Sequence, residues 1–536
     1  MTMTRRRFGY LLASAGASLA ARDCFSTEPV RSPNAATGET AEPARLTVRP
    51  GDRSDISPYL FGSSIEWVDA GNGICDAATG ELRADVIDAL RPLRLPVIRF
   101  PGGILADYYH WRDGVGPRDA RPKRRNPMDG TEHANTFGTD EYIRLLEALS
   151  AEGLVTANVG TGTYDELESW RQYFDQRHAP VRCWELGNEI YLAEPRAQAS
   201  IPGNDARIFQ TAATYAAKAS DWSARLRTRD HRVLVGGIAG TDNTSGENRG
   251  WLPTLLSKAA GDLDFIALHN AFAPLVTGPY DFGDARRRED AYRAMFARAE
   301  ASAEDCTSVR QQWRAARPAS PARIAVSEHF PLFGLGGDQA RILRVLDQSR
   351  TMASALYTAS LFHAWIRAGV WLATYNLTLS KWFGALVTDT DSGLVKTPTY
   401  HVFDLYRNTL GTRRMDVTLA GPTFSTVGVG SVAARDHLGA IDAIAALDAQ
   451  NRTTVAVICR RFEGSIAASI DGPPQALVDV WTLAADSPAA INGPSLTETT
   501  HANAGIQPRR SQWTFTPGAQ YTFPANSVTM LRWPAA

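Results

Sequence analysis

Two glutamates, Glu189 and Glu328, have the type and placement to do chemistry in this chain of 536 residues. Each closes a short β-like run: Val181 to Gly187 leads into Asn188-Glu189, and Arg323 to Ser327 leads into Glu328. A pair of carboxyl groups held ~5–5.5 Å apart supports retaining hydrolysis of a glycosidic bond. One must be ionised to attack the anomeric carbon, and the other must stay protonated to assist the leaving oxygen. Two neighbouring negative charges favour that split, because they raise one of the two pKa values. Other polar residues fall at the ends of similar runs: Glu66, Arg99 before Pro101-Gly102-Gly103, Asn158, His269-Asn270, His329 and Tyr375-Asn376. Carboxylates, an arginine and histidines gathered at one rim suit acid–base chemistry on a polar substrate.

Such convergence needs a scaffold. Eight β-like runs follow one another: Leu60 to Trp67, Pro96 to Pro101, Leu154 to Gly160, Val181 to Gly187, Arg232 to Ile238, Leu263 to His269, Arg323 to Glu328 and Val370 to Asn376. Helical stretches such as Leu82 to Leu93, Thr139 to Glu152, Thr211 to Arg227 and Ser349 to Arg367 separate them. This alternation predicts an α/β fold, a (β/α)8 TIM barrel over residues 57–410, whose reactive side chains sit at the C-terminal ends of the strands. An open doubly wound sheet shares the alternation, but no G-x-G-x-x-G follows the first run. Beyond Gly411 the runs are short and separated by turns, with no long helical period. Residues 411–536 are therefore expected to form an antiparallel β-sandwich, joined by an N-terminal strand within residues 45–56.

The rest of the sequence bounds the partners. Thr4-Arg5-Arg6-Arg7-Phe8, an apolar stretch from Gly9 and small residues before Ala21 read as a cleaved twin-arginine signal over 1–21. Residues 22–44 read as a solvated linker. An exported protein, periplasmic or secreted, with no stable membrane insertion after cleavage is the expectation. The 56 basic and 57 acidic residues give a net charge of −1, which leaves no electrostatic footprint for nucleic acid. The five cysteines are scattered without a C-x-x-C pair, and Cys183 and Cys459 sit in apolar runs as buried small hydrophobes. No H-E-x-x-H, G-x-S-x-G or P-loop is present, so neither a metal nor any other cofactor is called for.

Several ordered motifs resemble the α-L-arabinofuranosidases of glycoside hydrolase family 51. They are Arg99-Phe100-Pro101-Gly102-Gly103, Trp111-Arg112-Asp113-Gly114-Val115-Gly116-Pro117, Asn135-Thr136-Phe137-Gly138-Thr139-Asp140-Glu141, Asn158-Val159-Gly160-Thr161-Gly162-Thr163 and Trp184-Glu185-Leu186-Gly187-Asn188-Glu189. The likeness extends to Asp486 to Asn492 and Ser527-Val528-Thr529. It implies retaining, exo-acting hydrolysis of arabinofuranosyl units, with Glu189 as general acid/base and Glu328 as nucleophile. It further implies that Asn188 holds the hydroxyl next to the anomeric carbon, Glu66 binds sugar hydroxyls, Arg99 lies near Glu328 and His269 lines the site. Trp67 and Trp111 are the aromatics expected near the mouth. Ile104 and Ala271 stand where the family carries an asparagine and an aromatic residue, and His329 replaces a tryptophan, which points to an altered sugar subsite. An endo-glycanase, a β-xylosidase or a β-glucuronidase-like enzyme shares the same chemistry. A non-catalytic polysaccharide-binding protein is the reading from another class. A homo-oligomer is left open.

Overall fold

The computed structural model describes residues 44–534 apart from 52–53, 126–131, 192–207, 209, 241–249, 273, 275, 277–279, 335–336, 382–383 and 474–476. The export signal and all but the last residue of the linker lie outside the described residues. Among the described residues, no helix is long and apolar enough to cross a membrane.

Eight parallel strands close into a barrel: Gly62–Ser64, Val97–Phe100, Glu152–Ala157, Val181–Leu186, Leu234–Ala239, Phe265–Leu268, Arg323–Phe330 and Leu372–Tyr375. Closure is explicit in the register, with Tyr375 opposite Ser63 and Val326 opposite Leu268. The first strand is shorter than its apolar run suggests. Ser57 accepts from the Tyr59 backbone N–H and Pro58 opens a 3-10 turn over Pro58–Phe61, which takes up the start of that run.

The surrounding helices follow from periodicity and caps. In Thr139–Leu149, Tyr142, Leu145, Leu146 and Leu149 recur at helical spacing and are buried, and Glu141 reaches back to the Gly138 N–H at 2.8 Å. Met352–Ala368 differs: nearly every side chain is buried. It is covered on one side by the helix Ala285–Ala316 and on the other by the C-terminal sheet, so no face needs to be polar. Gly369, at φ +65°, ends it in the left-handed region.

The C-terminal unit is a nine-stranded sheet in which Arg413–Ala420 serves two partners. Its residues 416–420 pair with the N-terminal strand Ala44–Arg49, and 413–415 pair with Ile441–Leu447. Pairing is antiparallel throughout, except that Ala44–Arg49 runs parallel to Ile466–Asp471. Cys75, Cys183, Cys306 and Cys459 are buried.

Candidate active site

Arg99, third residue of the second strand, is wholly buried inside the barrel. A guanidinium has five donors and no acceptor, so burial demands oxygen partners. Three are present. Nε donates to Glu185 Oε2 at 2.8 Å, Nη1 to Glu328 Oε2 at 3.1 Å and Nη2 to Asn188 Oδ1 at 2.7 Å. Burial works against the Arg99 charge, but Glu185 and Glu328 outweigh it and hold the pKa above its ordinary value.

Glu328 and Glu189 meet opposite environments. Burial pushes Glu328 up from the usual carboxylate range, and Arg99 pulls it back. Its other oxygen accepts from Asn376 Nδ2 at 3.0 Å, so both oxygens serve as acceptors, as an ionised carboxylate requires. Among the described residues Glu189 gains no cationic contact. Its Oε1 lies 2.8 Å from His269 Nδ1, and its Oε2 is buried without a hydrogen-bond partner among the described residues. Burial first, then the Glu328 charge, raise the Glu189 pKa well above the ordinary value. His269 goes the other way: burial, then Arg99, lower its pKa well below the usual range, leaving it neutral. Its Nδ1 also lies 3.9 Å from Glu328 Oε2, so one imidazole nitrogen is within 4 Å of both carboxyl groups.

The backbone that delivers Glu189 is tightly specified. Gly187 sits at φ +88°, where a Cβ would stand 2.5 Å from Val159 Cγ2. Glu189 itself has φ +43°, a conformation that costs free energy for a non-glycine residue and is characteristic of functional sites. The Asp107 carboxylate fixes the segment. It accepts from the Asn188 N–H at 2.7 Å and from the N–H groups of Val159 and Gly160 at 3.0 Å each. Asn188 is thereby oriented with its Oδ1 on Arg99 and its Nδ2 without a hydrogen-bond partner among the described residues.

Glu66 has a similar half-satisfied arrangement. Its Oε2 accepts from Asn72 Nδ2 at 3.2 Å, whereas Oε1 is buried without a partner among the described residues. Burial pushes its pKa up to about 8. Gly103, at φ +72°, lets the backbone pass beneath it, since a Cβ there would stand 2.7 Å from Oε1.

Four further residues belong to the site, and each has a local reason. Glu185 is buried in the strand Val181–Leu186, whose other charged residue, Arg182, is exposed; a carboxylate between the apolar Trp184 and Leu186 is the signal that would have found it. Ser327 precedes Glu328 in sequence, yet both reach the interior. Ser327 bonds to Glu185 and His269, while Glu328 bonds to Arg99 and Asn376. Strict strand alternation forbids this; a register irregularity between Val326 and His329 permits it. Asn376 follows the last strand. Tyr191 is buried near the carboxylates, and burial together with the charges of Glu189 and Glu328 keeps it a phenol.

Other expected positions make their contacts outside this network. Trp111 is buried parallel to Trp170 at 6.4 Å and donates to the Glu166 carbonyl; no contact joins it to the carboxylates. Trp67 packs against Tyr109 at 5.8 Å, beside Glu66 in the chain. Asn158 spends its Oδ1 on the Thr161 and Gly162 N–H groups. Asn270 turns outward to the Ser302 carbonyl. His329 is not a rim residue. It is wedged edge-on between Trp365 and Tyr375, and burial lowers its pKa to about 3. Ile104 and Ala271 are both buried, and the Ala271 carbonyl accepts from Tyr357. Among the described residues no cluster of ligands suits a metal ion.

Comparison with known proteins gives these residues a context. The family model for the α-L-arabinofuranosidase 1 domain matches residues 89–179, and that for the α-L-arabinofuranosidase C-terminal domain matches residues 338–527. Together they span more than half of the chain. The chain belongs to the α-L-arabinofuranosidases of glycoside hydrolase family 51. Probable α-L-arabinofuranosidase C of Aspergillus niger is 26% identical over 92% of this chain and 97% of its own. The α-L-arabinofuranosidase C of Emericella nidulans is 26% identical over 91% and 97%. The fold matches the α-L-arabinofuranosidase of Thermotoga maritima, solved with arabinose, at a TM-score of 0.73 and 22% identity, covering 91% of this chain and 99% of that one. The family 51 enzyme of Bifidobacterium longum gives 0.75 at 19% identity, covering 92% and 100%. This family 51 member is thus a retaining glycoside hydrolase, and its barrel and sheet-rich C-terminal unit are those of its relatives.

Proposed function

We propose that this family 51 glycosidase releases terminal α-L-arabinofuranosyl units from plant-type polysaccharides or oligosaccharides, with Glu328 as nucleophile and Glu189 as general acid/base. The observation that carries the assignment is the contrast between the two carboxyl groups. Glu328 is held by Arg99 and Asn376 as an acceptor on both oxygens, whereas Glu189 faces a neutral imidazole with Oε2 free. A single nitrogen within 4 Å of both groups supports the close spacing that double displacement needs.

In the first step a Glu328 oxygen forms a bond to the anomeric carbon as the glycosidic bond breaks. The Glu189 proton passes to the leaving oxygen, and a glycosyl ester on Glu328 results. Water then attacks the same carbon, gives its proton to Glu189 and restores Glu328. The free Nδ2 of Asn188 is available to the hydroxyl beside the anomeric carbon, and Glu66 Oε1 to another hydroxyl. Both would form bonds that strengthen as charge develops at the reacting carbon.

Turnover of an aryl α-L-arabinofuranoside, followed by NMR, should give the retained anomer first. E328Q should lose nearly all turnover, and azide should restore hydrolysis of activated substrates by E189A. An E328Q enzyme working at the wild-type rate would overturn the nucleophile assignment. We also propose export through a twin-arginine route, supported by Arg5-Arg6-Arg7 ahead of an apolar stretch. Cell fractionation and N-terminal sequencing of the mature chain test it.

A further inference from the structure

A continuous path of hydrogen bonds joins the two catalytic carboxyl groups through the wall of the barrel. From Glu189 it runs to His269 Nδ1 at 2.8 Å, then from His269 Nε2 to Ser327 Oγ at 3.1 Å and from Ser327 Oγ to Glu185 Oε1. From Glu185 Oε2 it returns through Arg99 to Glu328. Every member is buried. The directions of these bonds are not free, because the members differ in what they can donate.

Arg99 can only donate, so Glu185 Oε2 accepts from it, and the same oxygen accepts from Thr156 Oγ1 at 2.8 Å. Glu185, paired with a guanidinium, is an acceptor at Oε1 as well. The one hydroxyl proton of Ser327 therefore goes to Glu185. Ser327 Oγ then has only lone pairs to offer His269, so Nε2 must carry a proton. A neutral imidazole protonated at Nε2 is bare at Nδ1. The contact between Nδ1 and Glu189 Oε1 then needs a proton from Glu189.

We propose that Ser327 and Glu185 are positioning residues that lock His269 in its Nε2–H tautomer and so keep the acid proton on Glu189. The inference rests on Glu189 being the general acid/base. The arrangement also acts after the proton has left. An ionised Glu189 faces a bare nitrogen instead of an N–H donor, so it gains no stabilising bond there and remains a strong base toward the incoming water. The opposite tautomer would donate to the carboxylate and weaken both roles. The charged and titratable groups that face this pair are Glu328, Arg99, Glu185 and Tyr191. Of these four, Glu185 is the one bonded to Ser327, so Ser327→Ala also leaves Glu185 Oε1 without its hydroxyl donor while Oε2 keeps Arg99 and Thr156.

Ser327→Ala removes the acceptor for Nε2–H and frees the imidazole to adopt the Nδ1–H form. Hydrogen bonding to the carboxylate then lowers the Glu189 pKa. Activity requires protonated Glu189 and is lost as pH rises through its pKa. The high-pH limb of kcat/KM for alkyl arabinofuranosides should therefore move down by about one pH unit. Substrates with good leaving groups, which need little protonation, should show a smaller change in kcat. Ser327→Thr, which keeps the hydroxyl, should restore the limb. Imidazole 15N shifts read the tautomer directly and without turnover: Nε2–H in the wild type, with Nδ1–H gained in Ser327→Ala. A wild-type His269 protonated at Nδ1 overturns the proposal, as does a folded Ser327→Ala enzyme with an unchanged limb and tautomer. Because the tautomer is read in the resting enzyme, failure of the glycosidase reading would leave this measurement interpretable.

Discussion

Arg99 Nη1 lies 3.1 Å from Glu328 Oε2, and neither side chain has any contact with solvent. Its fork simultaneously holds Glu185 and Asn188. A lysine presents one point charge and cannot reproduce three directed contacts. Arg99→Lys should therefore lower kcat by about 10²-fold, the range seen when one preorganised donor is lost. The sign of the pH effect follows from Glu328. Burial raises its pKa and Arg99 restrains it, so weakening the contact lets the pKa rise. Activity that requires ionised Glu328 then begins at higher pH, and the low-pH limb of kcat/KM should shift upward by about one unit. A limb that stays in place or moves down would separate Arg99 from the nucleophile.

Glu66 differs in charge state. With a pKa raised by burial to about 8, it is protonated at neutral pH and can donate through its carboxyl group. Glu66→Gln keeps a donor and an acceptor of the same shape, and should leave KM within about threefold of wild type at pH 6–7. Glu66→Ala leaves the substrate hydroxyl unpaired and should raise KM about tenfold or more. If Gln and Ala weaken binding equally at neutral pH, the protonated form is not the one that binds sugar.

How much of this was readable beforehand depends on the kind of signal. The eight barrel strands announced themselves, since most are apolar runs that end in or beside a polar residue or glycine. Glu189, Glu328, Arg99, Asn188 and His269 stood at those ends, and the structure brings them within hydrogen-bonding reach of one another. Ser327 was hidden because alternation assigns it to the outer face, and the register irregularity that turns it inward leaves no mark in the sequence. His329 failed for the complementary reason: it shares the strand end with Glu328 but faces the aromatic layer under Met352–Ala368. Trp111 looked like a loop aromatic, although Trp170 and Tyr173 on a neighbouring helix had already claimed its ring.

The junction of the two units offers a stability test. Asp442, on the C-terminal sheet, accepts from Arg367 Nη1 at 2.9 Å, from Arg460 Nη2 at 3.0 Å and lies 3.0 Å from His363 Nδ1. Burial disfavours its charge, but Arg460 and Arg367 outweigh it and hold the pKa well below the ordinary value. Asp442→Asn strands the buried Arg460, loosens the exposed Arg367 and should cost about 3 kcal/mol. A lowered pKa means this stability is present above the unfolded-state value of ~3.9 and is lost as pH falls through the folded-state value. The gap in Tm between wild type and Asp442→Asn should stay constant from pH 5 to 8. It should narrow only in stronger acid. Differential scanning calorimetry across that range decides it.

Gly187 tests whether the strained approach to Glu189 matters for turnover. At φ +88° an alanine is disfavoured by about 1–2 kcal/mol on backbone grounds alone. Its Cβ would also stand 2.5 Å from Val159 Cγ2, far inside van der Waals contact. Val159 belongs to the loop whose N–H groups share the Asp107 carboxylate with Asn188. Displacing it therefore shifts the acid/base segment as well as straining it. Gly187→Ala should lower Tm and reduce kcat about 10²-fold, since small misplacements of reacting groups are costly. The double variant Gly187→Ala/Val159→Ala removes the methyl that clashes but not the backbone strain. It should recover part of kcat while Tm stays low. Equal kcat in the single and double variants would show that the clash does not reach Glu189.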